Sequence, residues 1–405
     1  MENINKAKLE RRLSLPLLVF YGIGTILGAG IYVLVGKVAG AAGFYTPVSF
    51  ILASLLAGFS AFSYAELASR YPRSAGEAIY IEEGFAIRRI SILVGLMIIS
   101  VGIVSIATLS HGFAGYLNVF FDIPEPIIVS VMVLSVGLVC AWGIGPSVML
   151  AAIMTVVEII GLLIILYVGR ESFALIPDKI FGMLPPGEYS VWAGIFMGSF
   201  IAFYAYIGFE DIVNVAEEAI KPRINIPLAI IISLFVTTFF YILISIVATI
   251  LISPNDLAES NAPLAMLYER TTGQSPVVIT IISLISVING ALIQVIMASR
   301  VLYGMSRKKW LPKKIGKINE TTKTPLIATS IITAIVLLFA LLFPLLSLAK
   351  ITSYITLVIF MLINFALIKI KYSKGTHDGF TVPLSVPVFG GCSTLLFLFY
   401  LHSSL

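Results

Sequence analysis

The chain has 405 residues, of which 59% are hydrophobic and 12% charged, with a mean hydropathy of +1.03. Soluble domains carry roughly 25% charged residues, so this chain cannot clothe itself in water, and most of its exterior must meet lipid. Its net charge of +5 falls in short clusters between apolar runs, which is no nucleic-acid footprint. Two cysteines (Cys140, Cys392) and three histidines (His111, His377, His402) are scattered through the chain, giving neither a disulfide framework nor a metal-ligand set.

Residues 1–14 form a basic tail with Lys6, Lys8, Arg11 and Arg12. After it, eleven segments are apolar enough over about 20 residues to cross a bilayer: 15–39, 46–68, 90–119, 126–143, 147–168, 191–216, 226–252, 276–305, 325–344, 347–370 and 386–404. The first is too long for a signal-peptide core and lacks a small-residue cleavage site, so it reads as a retained helix. Placing the N-terminus in the cytoplasm and alternating leaves all but Lys37, Arg170, Lys179, Arg270 and Lys350 of the 26 Lys and Arg inside. That is the bias expected of cytoplasmic loops. Eleven spans put the C-terminus outside. Residues 70–89 read as an inner interfacial helix with Ile79, Ile81 and Phe85 on its apolar face. Residues 254–273 read as a short outer helix.

Span 1 contains "YGIGTILGAGIYVL" (21–34), with Gly22, Gly24, Gly28 and Gly30. Each glycine weakens a helix by about 1 kcal/mol relative to alanine. A phosphate-binding G-x-G-x-x-G fails because Leu27 takes the last position. Two readings remain. Small residues can form a close packing face, or the helix can unwind at mid-membrane, which is tolerated only where bare backbone lines a cavity. Span 6 favours the second, because Gly208 near its middle is followed by Glu210 and Asp211, and charges inside a span are rare and usually functional. Interruptions in spans 1 and 6 are what a five-plus-five inverted repeat would show. The first repeat would cover 15–168 and the second 191–370, with 371–405 adding a cytoplasmic loop and an eleventh helix. No residue-level similarity links the halves. A half-helix starting near Gly30 would offer free N–H groups to a carboxylate, and the carbonyls freed in span 6 would suit an ammonium group. Together they fit an amino acid.

At these residues the sequence resembles the amino acid–polyamine–organocation transporter superfamily. The likeness is carried by "GTILGAGIYVLVG" (24–36), "YAELASRYPRSAGEAIYIEEGFA" (64–86), "FYAYIGFEDIVNVAEEAIKPRINIP" (203–227), "SRVLYGMSRKKWLPKKIGKINETTKTPLIA" (299–328) and "FTVPLSVPVFG" (380–390). It implies an all-α membrane transporter with helices 1 and 6 unwound, working by alternating access. It also implies that Gly28, Ala29 and Gly30 present N–H groups to the substrate carboxylate, that the carbonyls of Ile26, Tyr204 and Ile207 accept from its amino group, and that Phe203 or Tyr204 is an aromatic gate.

Glu158 is the one acid in span 5. Many relatives carry "TVxK" where this chain has "TVVE", so a lysine mechanism cannot be copied. A carboxyl group there can load and release a proton. It can equally serve as a protonated hydrogen-bond donor to span 1, or help hold sodium with Ser299 or Ser306. Glu210 is a second proton-coupling candidate, or pairs with a loop arginine. Glu217 and Asp211 read as inner-face residues, Glu218 as a local partner of Lys221, and His111 as a hydrogen-bonded core residue. Spans 3, 8 and 10 hold no Asp or Glu, and their candidate lining (around Ile106 to Thr108, Ser286, Asn289, Gly290 and Ile293) is apolar or weakly polar. This favours a neutral amino acid.

The sequence therefore reads as a secondary transporter of the cell membrane, moving a neutral amino acid by proton symport. Sodium symport, exchange or, more distantly, a non-transporting sensor are the alternatives. Short tails speak against a sensor. No nucleophile–base pair suggests an enzyme. No cofactor, metal or obligatory protein partner is expected beyond substrate, coupling proton or sodium, and lipid.

Overall fold

Apolar runs of this length have no water to satisfy their peptide groups, so they close their hydrogen bonds within helices. The computed structural model describes residues 11–142, 144–175, 184–322, 324–375 and 377–404. Residues 1–10 of the expected tail, and Lys179, lie outside the described ones. The helices are α1 (Leu15–Ala42), α2 (Thr46–Arg70), α3 (Gly76–Phe85), α4 (Arg88–Leu117), α5 (Glu125–Trp142), α6 (Ile144–Val168), α7 (Tyr189–Tyr204), α8 (Asp211–Asn214), α9 (Pro222–Leu251), α10 (Pro254–Glu259), α11 (Pro263–Thr272), α12 (Val277–Arg307), α13 (Leu326–Leu342), α14 (Leu345–Lys374) and α15 (Ser385–Ser404). Among the described residues, seven helical stretches are long and apolar enough to cross a membrane, the first running from Leu15 to Arg70. Three shorter apolar helices join them.

One expectation is overturned. Span 1 does not unwind: Leu15–Ala42 is a single helix. Its glycines serve close approach instead. The helix runs through the bundle centre against α6, α7, α9, α10 and α12. A Cβ on Gly24 would lie 2.1 Å from Thr155 Oγ1, one on Gly30 2.6 Å from the Ala205 Cα, and one on Gly36 2.1 Å from the Leu257 carbonyl oxygen. Hydroxyls from the same neighbours brace its carbonyls: Tyr241 donates to Ile26 (2.5 Å), Ser286 to Gly28 (2.8 Å) and Thr155 to Phe20 (3.0 Å).

Span 6 is interrupted. After α7 the chain tightens into i→i−3 bonds, from Ala205 N–H to Ala202 (2.9 Å), Tyr206 to Phe203 (3.0 Å) and Ile207 to Tyr204 (3.2 Å). It then passes Gly208 at φ +133°, a conformation glycine alone adopts readily, and resumes as the single turn of α8. A side chain at Gly208 would also strike Thr25 of α1, at 2.7 Å.

The two loops read as helical are helical. Residues 254–273 hold two short helices, α10 and α11, rather than one. Helix α3 is more deeply seated than an interfacial helix, with Glu77, Ile79, Tyr80 and Ile81 buried. Gly84 allows this by approaching the Ala366 backbone of α14. Nearby, buried Glu66 of α2 accepts from Arg70 (2.8 Å) and Lys371 (2.7 Å) and from the Val382 N–H (2.8 Å). This ties α2 to α14 and to the segment before α15. Residues 12–13 and 218–220 are joined by a parallel bridge between Leu13 and Ala219.

Candidate functional site

Where the span 6 turn faces α1, side-chain packing leaves a cavity. It is lined by Thr25, Ile26 and Gly30 of α1, Ser105 and Leu109 of α4, Tyr204 and Ile207 of span 6, and Gly290 and Gln294 of α12. Of the residues expected at a substrate, Ile26, Gly30, Tyr204 and Ile207 thus meet at one place. Gly28 is jammed against the backbone of Gly290, 3.1 Å from where its Cβ would be. Ala29 is a helical position whose side chain lies outside those described. Phe203 is buried elsewhere, with its ring centroid 5.7 Å from that of Phe360. The amides at 28–30 belong to an intact helix, so they are not the free donors the sequence suggested. The expected acceptors are partly engaged too, Ile26 by Tyr241 and Tyr204 by the Ile207 amide. The Tyr204 hydroxyl donates to the Ser105 carbonyl at 3.4 Å.

The cavity measures about 20 Å³, room for roughly one water. No lining residue is charged. Ser105, Leu109 and Gln294 were missed from sequence. Gln294 had a usable signal, since it is one of two amides, with Asn289, in an otherwise largely apolar stretch of span 8. Its Nε2 donates to Asp211 Oδ2 at 2.6 Å, and its Oε1 has no partner.

Behind α1, Glu158 of α6 is fully buried. Asn289 of α12 donates to its Oε1 at 2.6 Å and to Thr155 at 3.1 Å. Tyr32 of α1 donates to its backbone carbonyl at 2.7 Å. Its Oε2 has no partner, and no Lys, Arg or His bonds it among the described residues. Gly24 opens the space where Thr155 and Asn289 reach α1. The hydroxyls offered as sodium co-ligands point elsewhere, Ser299 to the Ile296 carbonyl and Ser306 to that of Pro312.

Glu210 lies within the span 6 turn, not beyond it, and accepts from the Gly208 amide at 2.8 Å. No arginine bonds it among the described residues. Asp211 is buried rather than surface-facing. Glu218 pairs with buried Arg300 of α12 at 3.1 Å rather than with Lys221. His111 bridges Glu125 (2.5 Å) and the Phe343 carbonyl (2.9 Å).

This cavity, between a central helix and a broken one, is where comparison with known proteins becomes informative. The family model described as "Amino acid permease" matches residues 13–402. The chain belongs to that family. The permease is therefore a multi-pass membrane transporter of amino acids and not an enzyme. It is 29% identical to the branched-chain amino acid permease BcaP of Bacillus subtilis, over 96% of this chain and 87% of the relative. It is 28% identical to cationic amino acid transporter 3, mitochondrial, of Arabidopsis thaliana, over 90% of this chain but 63% of the longer plant protein. With the methylthioribose transporter of Bacillus subtilis it shares 27% identity, over 98% of this chain and 88% of the relative. Its fold matches that of MhsT, solved in complex with L-phenylalanine, at a TM-score of 0.68 and 13% identity, over 96% of this chain and 99% of that one.

Proposed function

We propose that this permease carries a neutral amino acid across the cell membrane together with a proton, and that Glu158 bears the proton. The observation that carries the reading is the pairing of an uncharged cavity with a buried carboxyl group that has only neutral donors around it. A cationic side chain would lose its hydration in that cavity with no anion in return, which is costly. The same cost applies to an ionised Glu158 whose Oε2 is unpaired, and protonation removes it. Asn289 connects the two regions, because it follows the buried residues of α12 that face α1 and lies beside Gly290 of the cavity wall. The branched-chain permease among its relatives agrees with a neutral substrate.

The cavity is far smaller than an amino acid, so the conformation is a closed one and binding must part α1 from the span 6 turn. Tyr241, which donates to Ile26 (2.5 Å) and Ala205 (2.8 Å), is the strap between them. Rocking of one five-helix repeat (15–168) against the other (191–370), with the N-terminus in the cytoplasm, would supply the alternation.

A thermal-shift screen of the purified protein against the amino acids identifies the ligand, since a ligand bound to the folded state raises its stability. Uptake into liposomes then compares an imposed pH gradient with a sodium gradient. The pH gradient should drive accumulation, and Glu158→Gln should abolish that drive while leaving counterflow exchange. Accumulation that follows sodium, or persists in Glu158→Gln, refutes the reading.

A further inference from the structure

Gln294 of the substrate cavity holds Asp211, and Asp211 lines a second cavity. Its wall is made by Tyr64 of α2, Glu77 of α3, Ile98 and Val101 of α4, Glu210 and Asp211 of span 6, Met297 of α12, and Thr356 with Ile359 and Phe360 of α14. Three carboxyl groups therefore share one enclosed space, and all three residues are at least nine-tenths buried, with exposures of 0%, 6% and 2% for Glu77, Glu210 and Asp211. The partners of these acids are neutral. Asn214 donates to Glu77 at 3.2 Å, the Gly208 amide to Glu210 at 2.8 Å, and Gln294 to Asp211 at 2.6 Å. No Lys, Arg or His bonds any of them among the described residues. Buried Arg300 of α12 pairs through its Nε with Glu218, and its Nη2 bonds none of the three. Two more polar groups on the same wall, the hydroxyls of Tyr64 and Thr356, are buried without partners.

Three buried carboxylates with no counter-charge cannot all be ionised, because each adds desolvation and mutual repulsion to the others. A cation of some kind must sit among them. The space is about 10 Å³, at the lower limit for a water and too small for an amino acid head group. No grouping of His, Cys, Asp and Glu among the described residues has the geometry to hold a metal.

We propose that Glu77, Glu210 and Asp211 form a proton-holding site, distinct from Glu158, that is wired to the substrate cavity through Gln294. The behaviour of Glu77, in a helix outside the spans, agrees. Burial pushes its carboxyl up to about 8, and the charge of Glu210 adds to the rise, against the pull of its own backbone amide and of Asn214. The wire is the Gln294 amide, whose Nε2 holds Asp211 while its partnerless Oε1 belongs to a side chain lining the substrate cavity. An ammonium group accepted by that Oε1 polarises the amide and strengthens its donation to Asp211. Substrate arrival thereby favours the ionised cluster and sheds a proton from it. The inference rests on the reading above only in taking the first cavity as the amino acid site.

Infrared spectroscopy of the full-length protein tests it without a ligand. A buried protonated carboxyl group absorbs apart from ionised ones and shifts in D2O. The native protein should show such a band at neutral pH, fading as pH rises. Glu77→Gln and Asp211→Asn should each remove part of it, and Glu158→Gln a separate part. Gln294→Leu should move the fading to higher pH, since the ionised Asp211 loses its donor. A band unchanged in Glu77→Gln, Glu210→Gln and Asp211→Asn alike overturns the inference, even if Glu158→Gln confirms the other site. So does a cluster band that disappears when sodium chloride replaces choline chloride at constant pH, which would make the site a sodium site. The single variants are read independently, so one that does not fold leaves the others to decide.

Discussion

Whether the glycines of α1 exist for packing or for unwinding can be settled by adding one methyl group. In Gly30→Ala, the new Cβ would lie 2.5 Å from the Ala205 Cβ, 2.6 Å from its Cα and 2.7 Å from the Tyr241 hydroxyl. Two of these neighbours belong to the turn that breaks span 6, and one is its backbone. Contact at 2.6 Å is about 0.9 Å or more inside ordinary carbon–carbon separation, and backbone cannot rotate away. Overpacking of this kind costs about 1–3 kcal/mol, set against a gain of about 1 kcal/mol from removing a helical glycine. Gly58→Ala in α2 is the control, because its Cβ would find only the Leu234 Cδ2, at 4.0 Å. The helix gain is common to both variants, so their difference isolates the packing term. Gly30→Ala should therefore be the less stable by about 1–3 kcal/mol, read as the midpoint of reversible denaturation in mixed micelles, with Gly58→Ala at or above the parent. If Gly30→Ala equals or exceeds Gly58→Ala in stability, the account of α1 as a rod pressed against the span 6 turn is wrong.

Tyr241→Phe keeps the ring contacts with Phe50 and Tyr206 (5.5 and 5.1 Å) but removes the hydroxyl between Ile26 and Ala205. Losing the single proton that this hydroxyl shares between two buried carbonyls should lower stability by about 1–3 kcal/mol and, by loosening the closed form, raise apparent substrate affinity in a binding titration. Glu66→Ala strands Arg70, Lys371 and the Val382 amide around an absent carboxylate. A loss of about 3–5 kcal/mol is expected, visible as poor recovery of folded protein on size exclusion, with Glu66→Gln intermediate. Glu77, raised to about 8 from its ordinary 4.5, holds its proton longer folded than unfolded. Its contribution to stability is complete below about 4.5 and falls away as pH rises to about 8, by up to about 1.4 kcal/mol per unit. Denaturation midpoints of Glu77→Gln should gain on the parent across that range, and parallel curves would contradict this.

Most of the helical layout was legible because long apolar runs in lipid admit few other structures. The break in span 6 was legible because two independent signals coincided, a glycine at mid-span and two acids directly after it. Span 1 offered only one. Four glycines state that something needs room, but a backbone that unwinds and a backbone that is closely approached both need it. The sequence could not show that Ala205, Gly290, Thr155 and Leu257 would arrive from four other helices and loops to fill the space. The cavity was half visible for the same reason: Ile26 and Gly30 stand among the span 1 glycines and Tyr204 and Ile207 beside the span 6 break, whereas Ser105 and Leu109 reach it from α4 with nothing in their own stretch to mark them. The acid cluster was invisible as a cluster, since Glu77 comes from a polar loop some 130 residues before Asp211 and meets it only after α3 folds under the bundle.

The short pairing of Leu13 with Ala219 carries a lesson about evolvability. Its bonds run from the Arg12 and Leu13 amides to the Glu218 carbonyl (2.9 and 3.0 Å) and from the Ile220 amide to the Leu13 carbonyl (2.8 Å). They are written in main chain, so these bonds do not depend on which side chains stand at the paired positions, although Leu13 and Ala219 are also buried in the core and limited in size by it. Proline is the exception: at Leu13 or Ile220 it deletes a donor outright, and such a variant would lose part of the clasp between the chain before α1 and the chain after span 6.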